Sequence, residues 1–423
     1  MTAAGVRRLS SQAYRGLTSS AYGGGVNVSP VPATGLLTGP EAGDILQTAL
    51  DAAGGQLLSW RATQVDHQPR RGTTVGYRAR VRWPDGREEQ VRFGAYNGPP
   101  PPGALVIGDG TERVTVWRFP YDPYLPALPA AHDPAGVTAL VRSFGLADGP
   151  VRLELRAYRP RRRAVVEVRG TSGSRLFLKV VRPSQVAGLH QRHRLLTDHA
   201  VPVPPSLGYT EDGLLVLQAL GGQTLRDVLR TGGQPAPDAA EILALLDRLP
   251  AALVEVPARR SWLDRVGHYA NVLSGVAPRQ ASLAAEVAAA VAAEAGRGPT
   301  VPVHGDFYES QLRVSGGRIV GLLDVDTAGP GDRIDDLACL LGHLSVLSQL
   351  TPDRATTLSR LGARYLAAFD RTVDAADLRY RVAAVVLSLA TGPFRVQEAG
   401  WEQATGYRIA LAARWLEQAR ALR

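Results

Sequence analysis

The sequence predicts a mixed α+β chain in which a small α/β unit precedes a β-rich lobe and then a mostly helical lobe. Three observations predict it. Strand-like runs bounded by turn residues fill much of 56–119 and 151–220. Gly221-Gly222 then interrupts the chain, and apolar residues recur at helical spacing from there to Leu422. Within that helical region a single polar stretch, Val303–Ala338, breaks the rhythm with two short apolar runs joined by Gly316-Gly317.

Composition bounds the possibilities. A chain of 423 residues exceeds one ordinary domain, and 45% hydrophobic with 6% aromatic residues is usual for a globular protein. No run approaches the ~18 apolar residues of a membrane helix, and the N-terminal residues lack the apolar core of a secretory signal. A cytoplasmic protein without membrane contact is expected. The single cysteine, Cys339 in DLACLLGHL, reads as a buried small hydrophobe. A net charge of +9 raises the question of nucleic acid, but the basic residues are scattered, with RAYRPRRR (156–163) the one cluster. That distribution argues against a nucleic-acid partner. Of the 48 basic residues 47 are arginine and one, Lys179, is lysine, so that position asks for a compact ammonium and not a planar fork.

In chain order, residues 1–40 read as a flexible leader rich in Gly, Ser and Pro. Residues 41–120 read as a small unit: a helix over 41–53, then strands near 56–60, 75–83, 89–95, 104–107 and 114–119, with Pro84-Asp85-Gly86 as a turn. A proline-rich linker and a helix over 137–144 occupy 121–150. In 151–220 a meander of three strands (151–157, 163–169, 175–181, the last carrying Lys179) precedes a helix over 185–199. A hairpin bent at Asp212-Gly213 follows. Beyond the glycine hinge, 221–423 reads as helices capped by Thr224, Asp238 and Ser261, with a catalytic loop at 303–338.

The hairpin in that loop brings the residues before its first strand beside those after its second. Asp306, Gln311 and Asp324 therefore converge, offering oxygen ligands for a hard cation and a carboxylate to take a proton. Phosphoryl transfer needs such a set, together with a cation on the nucleotide phosphates. Lys179 would reach the α/β-phosphates, Asp306 would accept the proton of the substrate hydroxyl, and Asp324 with Gln311 would hold Mg²⁺.

HGDFYESQ followed by LLDVDTAGPGDRIDDLA resembles the aminoglycoside/choline kinase-type phosphotransferase family over roughly 150–423. The resemblance implies a protein-kinase-like two-lobed fold and an ATP- and Mg²⁺-dependent transfer to a hydroxyl of a small molecule, such as a sugar, amino sugar, aminoglycoside or aminocyclitol. By it Asp306 is the catalytic base and Gln311 and Asp324 bind the metals; Asp326, two residues on, is expected at the metal or the acceptor or as loop support. Gln311 stands where the family usually has Asn, which is similar to the maltokinase and glucosamine kinase branch, whose members carry an N-terminal cap; the resemblance implies that residues 41–120 are that cap. Gln218 and Leu220, beside the hinge, are expected at the nucleotide. Glu309 and Asp326 are expected to meet the acceptor, while His304, Asp332 and Asp336 support the loop.

Two departures bear on the phosphate site. The turn Tyr158–Arg162 has no glycine, so Arg161 and Arg162 are expected to pair with phosphates in its place. The helix after Lys179 has no glutamate to orient that lysine. Seven acidic residues against three arginines between His304 and Asp336 predict a negative mouth suited to Mg²⁺ and a cationic acceptor. Two alternatives keep other chemistry in view: a nucleotide-binding pseudokinase, and a haloacid-dehalogenase-type phosphatase with Asp324 as nucleophile.

Overall fold

The computed structural model describes residues 7–8, 35–68, 71–108, 113–146, 149–171 and 173–423. The predicted leader, 1–40, lies outside the described residues except for 7–8 and 35–40. Among the described residues no helix is long and apolar enough to cross a membrane.

Residues 41–118 build an antiparallel sheet backed by helix Glu41–Asp51, whose Ile45, Leu46 and Leu50 are buried on it. The helix is amphipathic and carries Glu41 and Asp44 in its first turn, where the exposed N–H groups favour negative charge. Two strands run longer than their apolar patterns indicate: Gln56–Gln68 pairs with Gly72–Arg82 along its whole length. Gln56–Gln68 is an edge strand with polar residues at its far end, so hydrogen bonding continues past the last apolar residue.

The second sheet has five antiparallel strands, with the Lys179 strand, Arg175–Val181, in the middle. Its flanks are Arg163–Arg169 and Leu214–Gln218. Helix Pro134–Ser143 starts earlier than predicted because Asp133 caps it, accepting from the N–H groups of Ala135 and Gly136 ahead of a first-turn proline. Helix Pro183–Asp198 covers the other face through Val186 and Leu189.

Gly222 makes the hinge with φ +74°, and a side chain there would place Cβ 2.6 Å from the Val314 carbonyl oxygen. Only glycine allows that approach. Gln223 and Thr224 then add a short strand to the hairpin Leu312–Ser315/Arg318–Leu322, so the hinge is stitched to the polar loop. The hairpin turn uses Gly316 and Gly317, both at positive φ. Around it lie helices Leu225–Thr231, Ala239–Asp247, Trp262–Val276, Ala281–Glu294, Arg333–Leu350, Ala355–Phe369, Ala375–Ala390 and Trp401–Arg420. Thr224, Asp238 and Ser261 cap the first three as predicted, Ser261 in a reciprocal capping box with Asp264. The large-lobe core is one apolar cluster threaded by helix Ala375–Ala390.

The expected α+β, two-lobed, kinase-like layout is what the chain forms. The first sheet does more than precede it. Its core is continuous with Val276, Ala277, Phe394 and Trp401 of the helical lobe. At the opposite end Trp117 donates to the Tyr158 hydroxyl of the five-stranded sheet (2.7 Å).

Candidate active site

Asp336 builds the loop from below. Its two carboxylate oxygens accept from the N–H groups of His304 (2.7 Å) and Gly305 (2.8 Å), and Gly305 turns at φ +79°. The His304 ring nitrogen Nε2 lies 2.9 Å from the Leu323 carbonyl, and the Thr327 hydroxyl donates to the His304 carbonyl. These bonds hold the strand end before Asp306 against the strand end before Asp324. Asp332 caps helix Arg333–Leu350 at Ile334 and pairs with buried Arg381 (2.6 Å). That helix begins at the end of the polar loop because Asp332 supplies its cap.

Asp324 adopts a left-handed backbone, φ 55°, which aims its carboxylate across the cleft. Lys179 Nζ donates to Asp324 (2.8 Å) and to Asp326, and Arg163 reaches the same two carboxylates at 3.0 and 3.5 Å. Burial raises the Asp324 carboxyl, but Lys179 and Arg163 outweigh it and hold the group well below the ordinary range. Burial likewise pulls Lys179 down, and Asp326 with Asp324 more than restores it, so the ammonium stays charged at 6% exposure. The expected absence of a helix glutamate is thus met from the other lobe. His193 occupies the buried helix face near Lys179: its Nδ1–H donates to the Pro204 carbonyl (2.8 Å), leaving Nε2 without a partner. Burial and the Lys179 charge push its pKa down to about 4.

Asp306 lines a cavity of ≈ 490 Å³ with Asp324, Asp326 and Thr327. Burial raises its carboxyl, only partly offset by Arg259 and His304. That leaves a carboxylate more basic than usual, facing open space. Gln311 is buried under the loop, its backbone bonded to Tyr308 and Leu323, and is not among the cavity-lining residues. Gln218 ends the strand paired with that of Lys179, and Leu220 packs on Gly321, so neither borders the cavity that holds Asp306.

Several placements differ from expectation. Glu309 is fully buried and paired with Arg226 (2.7 Å), tying the helix after the hinge to the loop, so it does not reach the cavity as a substrate contact would. Arg161 is pinned: its N–H donates to Asp122, its guanidinium to Thr74, and it stacks on the Tyr96 and Tyr124 rings. Arg162 leans on Asp66 at 3.3 Å. The glycine-less turn is therefore clamped by the first sheet, with Arg161 itself taking the left-handed position at φ 63°.

The expected negative mouth is absent. The acids counted in 303–338 point mostly into the fold, as Glu309, Asp335 and Asp336 do. The cavity walls carry seven arginines (Arg71, Arg159, Arg161, Arg162, Arg163, Arg182 and Arg259) against four aspartates. The first sheet supplies part of that wall through Asp66, Gln68, Thr74 and Tyr96. Sequence reading missed Arg159, Arg163 and Arg259; the first two sit in RAYRPRRR, whose clustering was the available signal.

The sequence matches the phosphotransferase enzyme family over residues 159–378. No curated protein matches it. Among solved structures, a thermostable mutant of aminoglycoside phosphotransferase APH(4)-Ia in its apo form is similar at 16% identity and TM-score 0.46. It covers 66% of this chain and 98% of that one. The macrolide 2'-phosphotransferase MphH from Brachybacterium faecium is similar at 20% identity and TM-score 0.41, covering 66% and 97%. Aminoglycoside phosphotransferase APH(3'')-Id from Streptomyces rimosus is similar at 21% identity and TM-score 0.36, covering 60% and 97%.

Proposed function

This chain belongs to the phosphotransferase enzyme family, and on that premise we propose that it moves the γ-phosphate of ATP to a hydroxyl of a small molecule of sugar or cyclitol type. One observation carries the reading: Lys179 of the β-rich lobe meets Asp324 and Asp326 of the helical lobe, and Asp306 faces the same cavity.

In this reading Asp306 takes the proton from the acceptor hydroxyl as its oxygen bonds to the γ-phosphorus. The bond from that phosphorus to the bridging oxygen breaks, and ADP leaves with the electron pair. The raised basicity of Asp306 suits the task. Lys179 turns from the carboxylates to the phosphates when nucleotide enters.

Among the described residues no group of three His, Cys, Asp or Glu side chains is gathered as a metal cage. The donor set nevertheless fits Mg²⁺, which takes one or two carboxylates plus substrate phosphates. Asp324 and Asp326 already converge on one cation, Lys179. Bound there, with Gln311 at the loop base, Mg²⁺ would neutralise charge on the transferring phosphate. The family match sets aside the phosphatase alternative.

Asp306→Asn is expected to lower turnover about 100-fold or more while leaving nucleotide affinity near its original value. A coupled ATP-consumption assay with equilibrium nucleotide binding checks this; retained turnover would remove Asp306 as the base.

A further inference from the structure

We propose that the phosphate acceptor is an anion, a hydroxyl compound that also bears a carboxylate or a phosphate ester, held beside Asp306 by Arg159 and Arg259. This rests on the phosphotransferase reading above and names its substrate class. The argument begins with the charge of the cavity wall.

Of the lining arginines, Arg163 is committed to Asp324 and Asp326, Arg162 to Asp66, and Arg161 to Thr74 and two aromatic rings. Arg71, Arg159, Arg182 and Arg259 have no carboxylate partner among the described residues, Arg182 being turned to the Arg161 carbonyl and the Tyr124 ring. Arg259 comes from the loop before helix Trp262–Val276, rests 3.3 Å from the Gly305 carbonyl, and is the foremost charge acting on Asp306. Arg159 ends strand Arg152–Arg159 of the β-rich lobe, half-buried, and lines the same cavity. Burial and the neighbouring charges of Arg163, Arg395 and Arg162 press its pKa down to about 10. Behind the wall, Arg265 stacks on Trp262 and Tyr269 and, like Arg395, has no ion pair among the described residues.

Gathering seven guanidinium groups around four carboxylates is unfavourable unless something else supplies negative charge. Nucleotide alone does not, because the Mg²⁺ ions return roughly the positive charge that the triphosphate removes. The remaining excess lies beside the base, where the acceptor hydroxyl must sit. Planar forks with parallel N–H donors match carboxylate and phosphate oxygens, whereas a cationic amino sugar would enter against the field.

The test is a transfer assay with ATP and Mg²⁺ on the full chain. It uses matched panels that differ in charge: glucose, glucosamine, gluconate, glucuronate and glucose 6-phosphate, with the corresponding galactose and inositol series. Thermal stabilisation of the AMP-PNP-bound protein by each compound is recorded in parallel. The expected result is a kcat/KM at least tenfold higher for anionic members, the carboxylate and phosphate arms deciding which group is preferred. Arg159→Gln and Arg259→Gln should each raise the anion KM tenfold or more and narrow the anion-over-neutral difference in kcat/KM. A neutral or cationic member as best substrate, with KM unmoved in both variants, overturns the proposal. Nucleotide binding without transfer, and with no anion stabilising the protein more than its neutral parent, overturns it also. Failure to bind nucleotide at all instead refutes the phosphotransferase reading on which it stands.

Discussion

Lys179 and Asp324 show how far a side chain's behaviour depends on its neighbours. The ammonium is almost without solvent, and its charge persists because two carboxylates converge on it. An arginine keeps the charge but spreads it over a wider plane than the buried space around Lys179 Nζ holds. Lys179→Arg should therefore lower kcat/KM by roughly tenfold or more, measured by steady-state kinetics in ATP. His193 makes a second residue-scale case. Its pKa of about 4 when folded lies below the 6.5 of an exposed histidine, so between those values the unfolded chain binds more protons. Stability from this group is full above pH 6.5 and drains as pH falls toward 4, by at most about 1.4 kcal/mol per pH unit. His193→Asn, which keeps a donor for Pro204, should flatten the acid slope in urea melts taken from pH 7 to 4.5. An unchanged slope would mean other groups control it.

At the scale of elements, the strongest sequence signals were turns and caps. The Gly316-Gly317 hairpin, the Gly222 hinge and the Thr224, Asp238 and Ser261 caps all formed where expected, because each rests on local backbone chemistry. The hairpin placed Asp306 and Asp324 on one loop system without knowledge of the fold around it. The turn Tyr158–Arg162 was harder to read. Its conformation is dictated by Tyr96, Tyr124, Asp122 and Thr74, the last two 39 and 87 positions before Arg161, and no local pattern encodes that. Counting acids along 303–338 failed for a related reason. Glu309 and Asp336 turn inward to hold the loop, while the arginines that set the cavity's charge arrive from other segments.

For the whole molecule, the first sheet behaves as a buttress across both lobes. Phe394, 5% exposed, packs edge-on against Trp401 within the sheet's own core. Phe394→Ala should cost about 3–5 kcal/mol, and the loss should be shared. Amide hydrogen exchange at strands Gln56–Gln68 and Gly72–Arg82 and at helix Ala375–Ala390 should open together, at a lower temperature than in the parent. Separate transitions would show that the sheet and the helical lobe are energetically independent.

The solitary lysine has a further consequence. Within these 423 residues amine-directed chemistry finds one side chain, and that side chain lies on the middle strand of its sheet, nearly sealed from water. A lysine-specific protease likewise has a single scissile bond, after Lys179, in backbone committed to neighbours on both sides. Cleavage there cannot proceed from the closed sheet, so it reports the opening of those strands.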